Sequence, residues 1–359
     1  MKVAIISGIS WNHTFQRQQK TAVALKKLGF NVDFITGFKL RNPRLDDFVR
    51  LVKNKSYKKK QDEIVFVNTL NFKMLPPTCY LFNKLNNMLF KYRYDSLKSY
   101  DLILTFLPHP VFRNLSDNSI LIYDCVRDFS EWGGYPKELL NYEAELIKKS
   151  NVILFDSFWL EQKINKIRMK DSIQIFPTYP DIINKLKVNS PIPNKIKTLC
   201  YYGSINSKID IKTLNKLSEE YTVTLIGPVS EDVKLSKNII YHGAISDQEE
   251  LFFEVMKNDA FIIPYIGNMN GVIPAKTTEL LNMNKPTFIS SFYDANKLSD
   301  CWFVYSDYDD LLRQIKSYNK NNFKSVFKKN TERFYKYTNE NLYIVYDSIF
   351  SNLMKDKNE

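Results

Sequence analysis

The chain is poor in the residues that usually hold metals or staple small folds. Its 359 residues include three histidines and four cysteines. Cys79, Cys125, Cys200 and Cys301 stand far apart. No pair has metal-ligand spacing, and a reducing compartment explains them as ordinary thiols. His13, His109 and His242 are equally scattered, so no zinc site is written locally. No apolar run reaches membrane-spanning length, which excludes a transmembrane helix. The opening segment, MKVAIISGIS, has one lysine and then a short β-type run ending at Gly8. A secretory leader needs a longer apolar core and a small-residue cleavage site, so this reads as the first strand of a cytoplasmic protein. No internal repeat of solenoid period is present.

What the chain does have is length, ordinary composition and positive charge. Its length suits two domains, each with a real core. Hydrophobic residues make up 44% and charged residues 25%, the balance of a soluble globular protein. The net charge of +12 implies attraction to something anionic: a nucleic acid, a phospholipid surface or a phosphorylated small molecule. No compact nucleic-acid motif accompanies that charge, which ranks a basic nucleic-acid binder low. Lysine and asparagine are abundant, a bias of the surface rather than of the fold.

Apolar strands alternate with helices. VAIIS (3–7), NVDFIT, EIVFV (63–67), DLILTF (101–106), ILIYD (120–124), NVILF (151–155) and IQIF (173–176) read as strands. QRQQKTAVALKKLG reads as a helix capped by Gly29, and further helices are expected at 136–149 and 158–165. This alternation predicts an α/β protein with a parallel sheet covered on both faces. A proline-bearing stretch, 178–197, reads as a connection, after which the pattern restarts with TLCYYG, TVTLIG, NIIYHG, AFIIPY and TFIS as strands. We expect an N-terminal domain over 1–180, a second over 181–338, and a C-terminal helix in 339–359 that packs back on the first. Ligands of open parallel sheets bind at the carboxyl ends of strands, and two such edges would face each other across a cleft.

The stretch IPAKTTELLNMNKP (273–286) lies between two of those strands. Pro274 suits a first helical turn, where its missing N–H is harmless. The free amides of that turn attract an anion, and Lys276 adds a full charge. Glu279 lies about 7 Å further along the axis, at the usual rise per residue. A carboxylate at that distance suits the hydroxyls of a ribose whose phosphates rest on the helix end. The bland alternative is a surface lysine–glutamate pair.

This stretch resembles the donor motif of the GT-B glycosyltransferases, in particular the retaining family of bacterial capsule, teichuronic-acid and O-antigen synthesis. That motif runs from a strand through P-x-K-x-x-E and a helix to G-x-P-V-[IV]. Here Pro274, Lys276, Glu279 and Pro286 are kept, and Asn284 stands where glycine is usual. SWNHTFQRQQKTAVALKKLGFNVDFI, LIYDCVRDFSEW, NYEAELIKKSNVILFDSFWL, CYYGSINSKIDIKTL and VTLIGPV resemble other segments of the family in the same order, so the likeness spans nearly the whole chain. The family often carries a second glutamate eight positions before the first; here that place is Gly271. The resemblance implies two Rossmann-like parallel-sheet domains and a nucleotide-sugar donor, a UDP-sugar. The donor site would comprise Gly203, Ser204, Lys208, Pro274, Lys276, Thr277 and Glu279, with Asn268 or Asn270 and backbone amides in place of the lost glutamate. It implies a glycan or lipid-linked acceptor in cell-surface polysaccharide synthesis and a hexosyltransferase-like activity that needs neither cofactor nor metal.

On the acceptor side three residues are candidates. His13 follows the first strand, and His109 sits between prolines at a strand's carboxyl end. Asp128 follows a middle strand, where it would serve as a base in an inverting enzyme or as a positioning charge in a retaining one. SDYDD (306–310) contains the Asp-x-Asp pattern of metal-dependent transferases, but it precedes LLRQIK and reads as a helix cap. A nucleotide-sugar epimerase shares this two-lobed fold and is the enzymatic alternative. Cations and aromatics mingle in FKLRNPRLDDFVRLVKNKSYKKKQ and around residues 73–98, so a peripheral place at the inner face of the plasma membrane, against anionic lipid, is expected.

Overall fold

The computed structural model describes residues 1–12, 15–40, 67–115, 119–131, 135–168, 172–188 and 190–358; the side chains of 90–96, 114 and 354–358 are outside that description. His13, most of the strand expected at 63–67, and all but the first three residues of the basic tract FKLRNPRLDDFVRLVKNKSYKKKQ lie outside the described residues. The chain divides into two compact units, Met1–Ile175 with Asn341–Glu359, and Phe176–Glu340.

The first unit is built on a parallel sheet of β1 (Lys2–Ile6), β2 (Asn31–Phe38), β3 (Asn68–Met74), β4 (Leu102–Thr105), β5 (Ile120–Cys125), β6 (Val152–Phe155) and β7 (Ser172–Gln174). Their order is β3-β2-β1-β4-β5-β6-β7. The inner strands are continuous apolar runs because helices cover both faces; β4, β5 and β6 are buried along their whole length. α1 (Arg17–Lys27) starts at a capping box between Gln16 and Gln19 and ends just before Gly29, which takes φ +85°. The other helices are α2 (Tyr80–Leu97), α3 (Lys137–Lys149), α4 (Phe158–Asn165) and the C-terminal α12 (Leu342–Asn358). α12 packs on α1 through a buried bond of 2.7 Å between Thr21 Oγ1 and Tyr346 Oη.

The second unit repeats the plan. β8 (Thr198–Tyr202), β9 (Thr222–Ile226), β10 (Ile240–Tyr241), β11 (Ala260–Ile263), β12 (Thr287–Ser290) and β13 (Phe303–Tyr305) form a parallel sheet in the order β10-β9-β8-β11-β12-β13. Its helices are α5 (Ile182–Val188), α6 (Ile211–Leu217), α7 (Gln248–Met256), α8 (Lys276–Leu281), α9 (Tyr293–Lys297), α10 (Tyr308–Lys316) and α11 (Lys320–Phe334). In each sheet the winding reverses once, between β1 and β4 and between β8 and β11, and such reversals open ligand crevices at the strands' carboxyl ends.

β3 has no counterpart in the sequence reading: NTLNFKM, on the sheet edge, buries only Phe72 and Met74, so it lacks the apolar run of a central strand. α5 lies inside the stretch read as a connection and buries only Ile183, too little to show a period. SDYDD does cap a helix: Asp307 Oδ1 accepts from Asp310 N at 2.9 Å at the start of α10.

Candidate active site

In the second unit, three neighbouring strands leave the sheet through glycines. Gly203 follows β8 with φ +121°, Gly227 follows β9 with φ +141°, and Gly243 lies just past β10 with φ +70°. A side chain at Gly227 would place Cβ 2.1 Å from the Gly203 carbonyl oxygen, and one at Gly203 would sit 2.5 Å from Lys276 Nζ. Gly203 therefore leaves bare backbone beside Lys276 at the edge of the crevice between β8 and β11, and Gly227 lets the end of β9 lie close against it.

Two loops meet there. Ile266 N donates to Lys208 O at 2.9 Å, Asp210 N to Pro264 O at 2.7 Å, and Ile209 pairs with Tyr265. This ties the loop of Ser204 and Lys208 to the loop of Asn268 and Asn270. Asn268 Oδ1 accepts from Asn270 N at 2.8 Å, and Gly267 and Gly271 on either side take positive φ. Gly271 thus serves the turn of this loop, where a glutamate would be strained.

α8 follows. It has six residues and no side-chain cap, so its dipole is short and the charge at its start is that of Lys276. The Lys276 ammonium donates to the Tyr202 carbonyl and lies 4.1 Å from the Tyr201 ring centre, with Tyr202 and Tyr265 at 5.3 and 5.8 Å. Burial draws its pKa from 10.5 down to about 8, against the opposing pull of Glu279 and Cys200. Glu279 accepts a hydrogen bond from the Tyr202 hydroxyl. Burial first, then the Glu279 charge, pushes that phenol well above its ordinary pKa, so it stays a donor. Pro274 is buried ahead of the helix, and its carbonyl accepts from Thr277 N at 2.9 Å. The Thr277 hydroxyl is buried with no hydrogen-bond partner among the described residues.

In the first unit, Asp128 lies just past β5. Its Oδ1 accepts from Lys163 Nζ at 2.8 Å, Ser130 N at 3.0 Å and Ser130 Oγ at 2.6 Å; its Oδ2 accepts from Trp159 Nε1 at 2.7 Å. Burial raises the carboxyl's pKa, but these donors outweigh burial and hold it below the usual range. Lys163 also bonds Glu143 Oε2 at 2.6 Å, whose other oxygen accepts from Tyr123 Oη at 2.9 Å. Beside this group, Arg17 Nε meets Asp124 Oδ2 at 2.9 Å, the carboxylate buried and the guanidinium partly so.

His109 is buried beyond β4. Its Nδ1 accepts from Val111 N at 3.4 Å and caps a short 3-10 turn, Pro110–Asn114; its Nε2 faces Leu75 O at 3.5 Å. Burial lowers its pKa from 6.5 to about 4, so at neutral pH the ring is uncharged. His242 N donates to Leu225 O at 3.1 Å beside β9.

The structure brings together Gly203, Ser204, Lys208, Asn268, Asn270, Pro274, Lys276, Thr277 and Glu279, all around the carboxyl ends of β8 and β11. The sequence reading passed over Tyr202, Tyr201 and Tyr265 around Lys276, and Lys163, Trp159 and Glu143 around Asp128. The paired tyrosines directly before Gly203 were the available signal. Among the described residues no group of histidine, cysteine, aspartate and glutamate is arranged to hold a metal ion.

No protein-family profile matches the chain, and no curated protein sequence does. Solved structures do. A glycosyltransferase from Rickettsia africae superposes with a TM-score of 0.66 at 13% identity, over 99% of this chain and 98% of that one. The chain has the GT-B fold. The lipopolysaccharide outer core galactosyltransferase WaaB superposes at TM-score 0.63 and 12% identity, over 98% of this chain and 100% of WaaB. Anabaena HepE, in complex with UDP and glucose, does so at TM-score 0.61 and 12% identity, over 98% and 100%. GT-B architecture thus extends over both units of the chain.

Proposed function

We propose that this chain is a glycosyltransferase that moves a sugar from a nucleotide-sugar donor, a UDP-sugar, to an acceptor. The observation that carries this reading is the meeting of Lys276 and Glu279 with the bare backbone at Gly203, at the winding reversal of the second sheet. An ammonium beside a glycine that carries no side chain suits a diphosphate; a carboxylate one turn further suits ribose hydroxyls. Lys208 and Ser204 supply further polar groups on the same loop. Asn268 and Asn270 take the sugar side, and Thr277 lines the start of α8. Leaving-group charge is neutralised by lysines, with no metal invoked. Structures of Anabaena HepE with UDP and with UDP-glucose support the choice of donor.

For the acceptor we propose a lipid-linked or polysaccharide glycan of the bacterial cell surface, supported by the likeness to WaaB. Asp128, buried and held ionised by four donors, serves there as a fixed negative charge rather than a base. His109, with both ring nitrogens facing backbone groups, shapes the same unit, and His13 is the remaining acceptor-side candidate. No helix among the described residues is long and apolar enough to cross a membrane. α2 exposes Tyr80, Leu81 and Met88 at 83, 60 and 63%, with Lys84 exposed beside them, which supports peripheral docking on anionic lipid at the cytoplasmic face.

Calorimetric titration with UDP tests the donor assignment. The wild type is expected to bind, and Glu279→Ala to bind about tenfold or more weakly, the loss of a charge-assisted hydrogen bond. Equal affinity would remove Glu279 from the ribose site.

A further inference from the structure

We infer that Tyr202 is the positioning residue of the donor site: its carbonyl holds the Lys276 ammonium, its hydroxyl holds the Glu279 carboxylate, and the second bond sets the site's preference for a ribose over a sugar lacking its hydroxyls. The inference rests on the proposed UDP-sugar function.

Lys276 and Glu279 stand on a six-residue helix that has no side-chain cap. Both side chains are long, and holding them in one geometry costs rotamer entropy that a short helix does little to offset. Tyr202 has the rigidity they lack. It ends β8, which pairs with β9 on one side and β11 on the other, and its own partner in register is Ile226. Its ring is buried and meets Phe252 edge-on, with centroids 6.0 Å apart. Its carbonyl accepts from Lys276 and its hydroxyl donates to Glu279 Oε2. One strand residue thus bonds both charged groups of the motif, three positions apart on α8. Gly203, next in the chain, leaves room for the ammonium that Tyr202 holds.

The two bonds are separable. Phenylalanine at 202 keeps the carbonyl and the ring packing and removes only the hydroxyl. Glu279 then loses a buried donor while Lys276 remains its neighbour at i−3, and it turns toward that ammonium. The carboxylate would no longer be aimed at the ribose, whereas the diphosphate contacts would persist.

The test compares UDP with 2′,3′-dideoxy-UDP by calorimetry on the full chain. The wild type is expected to prefer UDP about tenfold, the worth of one charge-assisted hydrogen bond. In Tyr202→Phe the preference is expected to fall to about twofold while dideoxy-UDP binds as before, since only the hydroxyl-dependent contact is lost. The double variant with Glu279→Gln is expected to lose no more preference than Glu279→Gln alone. An unchanged preference in Tyr202→Phe, or an equal loss for both nucleotides, would overturn the inference and leave the donor assignment standing. Failure of the wild type to bind UDP would sink the donor assignment and this inference together. If Tyr202→Phe does not fold, 3-fluorotyrosine at position 202 keeps the shape and strengthens the donor; a preference that does not move then overturns the inference.

Discussion

The ammonium of Lys276 donates to the main-chain carbonyl of Tyr202, at the point where the second sheet reverses its winding. Burial in that place lowers its pKa to about 8. Above that pH the free protein holds a neutral amine, and a bound diphosphate would recharge it. UDP binding at pH 8.5 should therefore take up protons, and affinity should fall as pH rises from 8 to 10. Titrations in two buffers of different ionisation heat measure the uptake. Lys276→Met should abolish it; identical heats in both buffers for the wild type would show the lysine already charged.

Gly227 and Gly203 differ in what a methyl group would meet. At Gly227 it would strike the Gly203 carbonyl at 2.1 Å, and backbone does not yield cheaply. Gly227→Ala should destabilise the protein by about 3 kcal/mol or more, from clash added to a φ of +141°. At Gly203 the obstacle is the mobile end of Lys276. Gly203→Ala should therefore cost less stability, about 1–2 kcal/mol of strain, yet displace the ammonium and weaken UDP binding. Gly29→Ala, with open space around it, is the control for positive φ alone. Denaturant unfolding ranks the three; equal losses would contradict the crowding described.

Lys163 links two buried carboxylates, Asp128 and Glu143. Lys163→Met strands both, and removing one partner of a buried pair costs about 3–5 kcal/mol. Adding Glu143→Gln should recover part of that loss. Urea unfolding of the single and double variants checks the sign; a neutral Lys163→Met would mean water reaches the pair.

His109 gives a signature in acid. Its folded pKa of about 4 lies below the unfolded value, so the unfolded chain binds the extra proton between the two. Its contribution is complete above pH 6.5 and lost as pH falls toward 4, amounting to about 3 kcal/mol at the acid end. Stability measured at pH 7 and pH 5 should drop for the wild type. His109→Asn keeps an acceptor for Val111 N but cannot take the proton, so its drop should be smaller. An equal drop would assign the acid sensitivity elsewhere.

Much of this architecture was legible in the sequence because buried parallel strands are written as apolar runs. VAII, LILT, VILF and AFII each became a strand buried on both faces, or nearly so. β3 was not legible, since an edge strand that buries only Phe72 and Met74 carries no apolar run. α11 was missed because its lysines and asparagines mask the few residues it buries, Phe323 and Phe334 among them. In the site, proline, lysine and glutamate could be read from their spacing on one helix. Tyr202 could not: its two bonds join residues 74 and 77 positions away, and only the sheet brings them together. Of the four donors on Asp128, the two from Lys163 and Trp159 on α4 were hidden for the same reason, while the two from Ser130 depend on the fold of the loop after β5.

The most direct test of the central claim is turnover. The purified chain, a panel of UDP-sugars and a bacterial membrane extract as acceptor are incubated together, with released UDP and glycosylated product followed by mass spectrometry. One UDP-sugar is expected to release UDP in step with an acceptor gaining that sugar, with release reduced at least a hundredfold in Lys276→Ala with Glu279→Ala, about 3 kcal/mol of lost transition-state stabilisation. UDP release from no donor, release unaffected by the double substitution, or a new UDP-sugar formed without any acceptor would contradict the claim.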